Sequence, residues 1–453
     1  MRRRTAMLGL AVAATLLAAA FEAEGQLGSN FSLIRNHPAI DYASRPVRDP
    51  LSRLIARVER GEVSLAYEQQ HGYLRSILDA LNVDPESQVL VFSKTSFQSS
   101  LIGPATPRAL YFNDEVAVGF VQHAPYLEFT AQDPEQGTIF YTLRQRAEGP
   151  PEFERNDSCL SCHATEATQE VPGLFATSVF PTPTGTVMYA PIYYTDHRRP
   201  LPLRWGGWYV SGTHGEARHQ GNATVPVGAA DISLTRTETN QNRRTLDTLF
   251  DTSPYLRPGS DIVALMVLDH QMHMTNLITR LGWEARVRQH AGDGPAIVMP
   301  TPADASESLI AATRVTRPQQ LALRDVDKAV VDLVDYMLFV DEPALGPIVG
   351  TSAFTQTFPA GGPHDAQGRS LRDLSLDGRL MRYPCSYMIY SDAFNALPTP
   401  VRDAVYARLW HVLSGEETGA PYDRLTLADR RDVVAILRAT KPDLPPYFAD
   451  VTR

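Results

Sequence analysis

Hydrophobic positions change period several times along this chain, and each change marks an element. Between Pro50 and Glu59 they fall at Leu51, Leu54, Ile55 and Val58, the i, i+3, i+4, i+7 spacing of an amphipathic helix. A second helix is expected over 72–81, where Leu74, Ile77, Leu78 and Leu81 share a face. From Val89 onward short β-branched and aromatic runs replace that spacing. Segments 89–93, 109–113, 116–122, 126–131 and 138–145 read as strands, parted by Gly103-Pro104, Asn113-Asp114 and Asp133-Pro134 with Gly137. Asn113-Asp114-Glu115 reads as a hairpin turn. The strand pattern resumes at 174–180 and 186–194 across a turn from Pro181 to Gly185. Helical spacing returns at 262–279, 325–340, 400–413 and 427–440, while 285–318 and 354–382 are rich in turn residues. The expected class is α+β: an antiparallel sheet followed by helices.

The N-terminus follows a different logic. Met1-Arg2-Arg3-Arg4 precedes an apolar run from Ala6 to Phe21, with small residues at Ala18, Ala19, Ala20 and Ala23. A basic start, an apolar centre and small residues describe a secretory signal, and the run is short beside the ~20 residues of a membrane span. The expectation is a periplasmic or exported protein with residues 1–23 as signal; an uncleaved N-terminal anchor is the alternative. No second run is long enough to span a bilayer. Residues 24–88 are expected to form an arm and helices, 89–235 a β-rich domain, 236–345 a helical and loop domain, and 346–453 a C-terminal helical domain.

Composition narrows the partners. The 453 residues are 43% hydrophobic and 21% charged, ordinary for a globular chain long enough for two or three domains. A formal net charge of −9 argues against nucleic acid and anionic membrane surfaces.

Of the 3 cysteines, two fall in Cys159-Leu160-Ser161-Cys162-His163. C-x-x-C-H is the attachment pattern of a c-type haem: two thiols add to the vinyl groups of one porphyrin, and the next imidazole binds its iron. A redox dithiol, or half of a zinc site, would use the same cysteines. The first is expected near a βαβ pattern, and the second needs another ligand pair. One covalent haem c is therefore expected, with Cys159 and Cys162 as anchors and His163 as the proximal ligand. Cys385 is then left without a partner and is expected to be buried.

Two further stretches offer haem-contact residues. In 204–222, Trp205 and Trp208 add aromatic surface and His214 and His219 add imidazoles; the alternative is a glycine-rich turn packing two tryptophans on the sheet. In 262–279, Met266, His270, His273, Met274 and Leu277 share a helical face, with core packing as the alternative. The candidate distal ligands are His214, His219, His270, His273 and Met274.

Strands, then C-x-x-C-H, then two more strands across a glycine turn resemble the PAS-like haem c domains of bacterial sensors, over residues 89–195. LVFSKTSFQ (90–98), ALYFNDEV (109–116), RWGGWYVSGTHGEARHQGN (204–222) and RYPCSYMIYSDAF (382–394) resemble a family of exported bacterial cytochrome c-domain proteins of unassigned function. That resemblance implies a monohaem c protein and supplies no reaction. The C-terminal helices are similar to those of cytochrome c domains but carry no C-x-x-C-H of their own. The expected function is electron transfer with a periplasmic redox partner protein. Yet a carrier needs only about 100 residues. A haem enzyme with an open sixth iron site acting on a small molecule, or a PAS-like sensor or gas-binding module, stands as the alternative.

Overall fold

The computed structural model describes residues 34–228, 240–292 and 326–451; the signal-like run 1–23 and most of the 285–318 loop lie outside the described residues. An antiparallel sheet dominates the first half. Its strands are β1 (Val89–Val91), β2 (Arg108–Phe112), β3 (Val116–Phe120), β4 (Tyr126–Asp133), β5 (Gly137–Arg144) and β6 (Phe153–Arg155), with β9 (Trp208–Tyr209) on the far edge. The order is β6-β5-β4-β3-β2-β1-β9: β1 to β6 form a meander in which each strand pairs with the one before it, and β9 returns to pair with β1. Asn113 makes the β2–β3 turn as expected: its side-chain oxygen accepts from the backbone of Glu115 and Val116, and its own N–H donates to Val116 O.

One face of the sheet, with Leu90, Tyr111, Val118, Phe129, Ile139 and Tyr141, packs on α1 (Pro50–Glu59) and α2 (Leu74–Ala80). Asp49 starts α1 by accepting from Ser52 N at 2.9 Å, and its other oxygen accepts from the β5 hydroxyl of Tyr141 at 2.6 Å. The arm before it lies on the body: Ile40 and Tyr42 are buried, and the Tyr42 hydroxyl donates to Thr138 O.

The opposite face packs Val89, Val91, Phe112 and Trp208 against α4 (Ile262–His290). At 29 residues this helix is about 44 Å long and continues well past Thr279, where its expected end lay. It is buried on nearly every side, so its apolar residues do not mark one face. Asp261 caps it, accepting from Val263, Ala264, Thr351 and Ser352, and so ties the helix start to the chain near residue 351. Among the described residues no helix is long and apolar enough to cross a membrane.

The same core continues through α5 (Val326–Met337), α6 (Phe354–Ala360), a small ribbon of β10 (Leu374–Asp377) and β11 (Arg379–Met381), and the helices α7 (Asp392–Asn395), α8 (Thr399–Ser414) and α9 (Leu427–Thr440). One body of apolar contacts thus joins segments from 89 to 451. Cys385 lies in it, fully buried as expected of an unpaired thiol, and burial pushes that thiol up to about 12.

The stretch 174–194 departs from expectation. It forms β7 (Ala176–Pro181) and β8 (Val187–Thr195), a bulged hairpin that is its own two-stranded sheet rather than a continuation of the meander. The reason is a competing partner. Val179 N donates to Gly206 O, Gly206 N donates to Ser178 Oγ, and the Trp208 indole donates to Thr177 O, so the 205–208 turn takes β7. Tyr209 then pairs with Leu90 and closes the opposite edge of the large sheet.

Candidate functional site

The C-x-x-C-H run follows β6 directly. Asn156 accepts from Ser158 N and opens a single 3₁₀ turn over Asp157–Cys159, and α3 (Leu160–His163) continues it. One helical turn puts residues i and i+3 on the same side, which sets the two thiols together. Leu160 is the anchor, buried with Ala164 and Val171 against the sheet. Cys159 is half-buried, Cys162 is exposed, and both are free thiols. Burial pushes the Cys159 thiol up to about 11, and the Glu128 carboxylate adds to it.

His163 is held on three sides. Its ring lies 5.2 Å from Phe140 and 5.1 Å from Phe175. Its Nδ1 donates to Gly173 O at 3.0 Å, while Gly173 N donates back to His163 O at 3.0 Å. Burial pushes the imidazole down to about 4, against the Gly173 carbonyl that accepts from it. The neutral ring therefore carries its proton on Nδ1. Nε2, with its lone pair, has no hydrogen bond to a described residue, which is the state an iron ligand needs.

Two surfaces flank the motif. Cross-strand register places Arg108, Gly119, Glu128, Thr130, Phe140 and Thr142 on one sheet face. Arg108 and Glu128 pair at 2.8 Å there, and Glu128 accepts from Ser96 and Gln98. Three buried polar atoms in this region, Arg108 Nε, Gln98 Oε1 and Thr130 Oγ1, have no hydrogen-bond partner. On the other side Phe175 meets Tyr194 edge-on at 5.7 Å. Tyr194 is 52% exposed, and along the same strand Ile192 is 53% and Met188 57% exposed. An apolar strip therefore runs outward along β8 from the histidine's aromatic neighbour.

No family model, curated protein or solved structure matches this chain. Two free thiols one turn apart, an imidazole with one nitrogen committed and the other open, an apolar strip and a cation with a free N–H all fit a porphyrin carrying carboxylates.

The other candidates lie elsewhere. Trp205 and Trp208 are core residues behind β7: the Trp205 indole donates to Asp269 Oδ2 at 3.0 Å, and Trp208 is tied to Thr177. His214 and His219 meet at 4.8 Å near Trp205. Both ring nitrogens of His214 are engaged, Nδ1 with Ala217 O and Nε2 with Asn242 N. His219 Nδ1 accepts from Gly221 N. Both nitrogens of His270 are also engaged, with His197 Nδ1 at 2.8 Å and Ser386 Oγ at 2.8 Å. Met274 is fully buried in the α4 core. His273 lines a cleft of about 270 Å³ with Gln169, Arg198 and Tyr336. Among the described residues, no hydrogen bond or ring contact joins any of the five to His163.

Phe140, Gly173, Phe175 and Asn276 were not singled out in the sequence, since nothing local distinguishes them. The nearest signal was their closeness to the motif: Gly173 and Phe175 follow it by 10 and 12 positions.

Two of the buried imidazoles make folding acid-sensitive. Burial, aided by His214, lowers His219 from 6.5 to about 3. Burial lowers His270 from 6.5 to about 3, with His273 helping and Asp196 opposing. Between these values the unfolded chain binds protons that the folded chain refuses, so stability falls as pH drops below 6.5 and is unaffected above it. Urea titrations from pH 7 to pH 5 should show a loss of about 2 kcal/mol per histidine. His219→Gln and His270→Gln variants should each lose part of that slope.

Proposed function

We propose that this chain is an exported monohaem c protein that transfers electrons, with Cys159 and Cys162 as thioether anchors and His163 as proximal iron ligand. The observation that carries the reading is the commitment of His163 Nδ1 to Gly173 O with Nε2 left open, on a turn that presents both thiols. The haem would supply a one-electron redox centre. The chain's own part is to fix and dry it. Phe140 and Phe175 keep water from the imidazole, the Gly173 carbonyl sets its tautomer, and Arg108 offers a guanidinium to a porphyrin carboxylate. A redox partner protein would meet the exposed side, where Cys162 and the β8 strip lie. The PAS-like reading of 89–195 belongs to this proposal; its support is an antiparallel sheet whose last meander strand runs directly into the C-x-x-C-H turn. The cytochrome c-like reading of the tail is supported by the packing of α8 on α9.

A second reading is favoured by one observation: His214 and His270 already spend both ring nitrogens inside the protein. An iron ligated by His163 alone would leave its sixth position to a gas, peroxide or another small molecule, and the protein would be an enzyme or sensor. Optical spectra of the purified holoprotein, ferric and ferrous, with and without carbon monoxide, separate the two. A low-spin spectrum unmoved by carbon monoxide supports the carrier. High-spin ferric iron with ready carbon monoxide binding supports the open site. Loss of all pigment on acid-acetone extraction would sink both.

A further inference from the structure

Asn276 sits at the middle of α4, 1% exposed, and spends its whole carboxamide on one residue. Its Oδ1 accepts from Leu174 N at 3.2 Å and its Nδ2 donates to Leu174 O at 2.7 Å. A pair of this kind fixes which way the amide points, because a flipped amide would set donor against donor. The adjoining Gly173 lies so close that a Cβ on it would stand 2.1 Å from Asn276 Oδ1. Gly173 is also the residue that exchanges two hydrogen bonds with His163. A continuous line of contacts therefore runs from a buried helix, through residues 173–174, to the imidazole.

The helix end of that line is firmly held. One turn beyond Asn276, Thr279 Oγ1 accepts from Gln132 of β4 at 3.0 Å. Arg280 pairs with Glu284 at 2.5 Å and reaches Glu170, in the segment between the motif and Gly173, at 3.4 Å. Pro172 O accepts from Thr138 N of β5 at 3.1 Å. The carbonyl that accepts from His163 is thus placed by α4 and the sheet.

We propose that Asn276 is a positioning residue for the proximal histidine: by clamping Leu174 it sets the Gly173 carbonyl that holds the His163 ring and tunes how strongly it donates to iron. The inference rests on the haem c reading. A strong Nδ1–H···O bond gives the ring partial imidazolate character and favours ferric iron, so loosening it raises the midpoint potential.

The test uses full-length holoprotein carrying Asn276→Leu, which keeps the shape and removes both hydrogen bonds. The variant should retain covalent haem, show a midpoint potential shifted upward, and exchange the His163 ring N–H proton about tenfold faster by NMR. Gly173→Ala should move both readouts the same way, because its methyl displaces the clamp. The double variant Gly173→Ala/Asn276→Leu should shift no further than the larger single change. Should Asn276→Leu fail to accumulate, Asn276→Ser, which keeps one polar atom, carries the same measurement. A wild-type potential and exchange rate in a less stable variant would show a clamp for the loop alone and overturn the proposal. Absence of covalent haem in the wild-type protein is a separate outcome, which removes the haem reading itself.

Discussion

Cys159→Ala/Cys162→Ala protein, purified after export under haem-loading conditions, is expected to carry no covalent pigment. Its intact mass should equal that of the mature polypeptide, whereas the wild-type chain gains one haem. Each single variant keeps one possible thioether and should retain covalent haem at reduced yield. The fold should tolerate the changes. Cys162 is exposed, and Cys159 packs at the edge of its core rather than inside it, so apo-protein stability should move by under about 1 kcal/mol. Loss of pigment then reports on attachment and not on unfolding. His163→Ala makes the complementary case: the thioethers can form, but the iron loses its nitrogen donor, and the low-spin spectrum should disappear. Covalent pigment in the double-cysteine variant would place attachment elsewhere and overturn the assignment of all three residues.

The largest stability effect is expected at Trp205. This side chain is fully buried, and its backbone takes the left-handed region at φ 68°, a costly position for a bulky residue. Its indole donates to Asp269, a fully buried carboxyl that burial raises to about 7 against the opposing pull of Arg204, 3.9 Å away. Trp205→Ala removes the packing and strips Asp269 of a donor, so a loss of about 3–5 kcal/mol is expected in urea unfolding. Trp205→Phe keeps most of the packing and should cost about 1–3 kcal/mol, the penalty of the unpaired carboxyl. Because the Trp205 ring packs at His219 and not at His163, folded Trp205→Phe protein should keep the wild-type haem spectrum. A shifted Soret band in that variant would return Trp205 to the cofactor pocket.

The elements themselves were largely legible. Helices at 50–59 and 427–440 appear with the expected ends, because each start is written locally: Asp49 before Pro50 in one, a Thr426–Asp429 capping box in the other. The first five strands fell where turn residues bounded them. Less legible was α4. A helix buried all round carries no amphipathic stripe, so its far end at His290 and the roles of its polar residues could not be read from spacing. Asp261 and Asp269 carry no local motif in the sequence. One caps the helix through Val263 N and Ala264 N and ties it to Thr351 and Ser352, and the other receives the Trp205 indole.

The glycine-rich stretch 204–222 admits two readings in sequence, a ligand pocket or a turn that packs two tryptophans, and the packing is that of the turn. Gly206 is required because a Cβ there would stand 2.2 Å from Val179 O. That close approach lets the 205–208 turn bind β7 and bury two tryptophans. Aromatics, glycines and histidines would read the same way in a ligand pocket, since both settings need bulk beside a backbone that can come close.

What the sequence determined by itself was local. It set the periodicity of each element, the capping of two helices, and the grouping of Cys159, Cys162 and His163 in one five-residue run, on which the haem c proposal rests. The tertiary structure decided everything that depends on residues far apart in the chain. It made 174–194 a separate hairpin, since residues 206–208 compete for β7. It turned His270 inward to His197 and Ser386, and His214 toward Ala217 and Asn242, in place of a shared site. It also brought Asn276, 113 positions beyond His163, to the loop that holds that histidine. Spacing along a chain reports which side of an element a residue occupies, but which element it then meets depends on how the whole core closes.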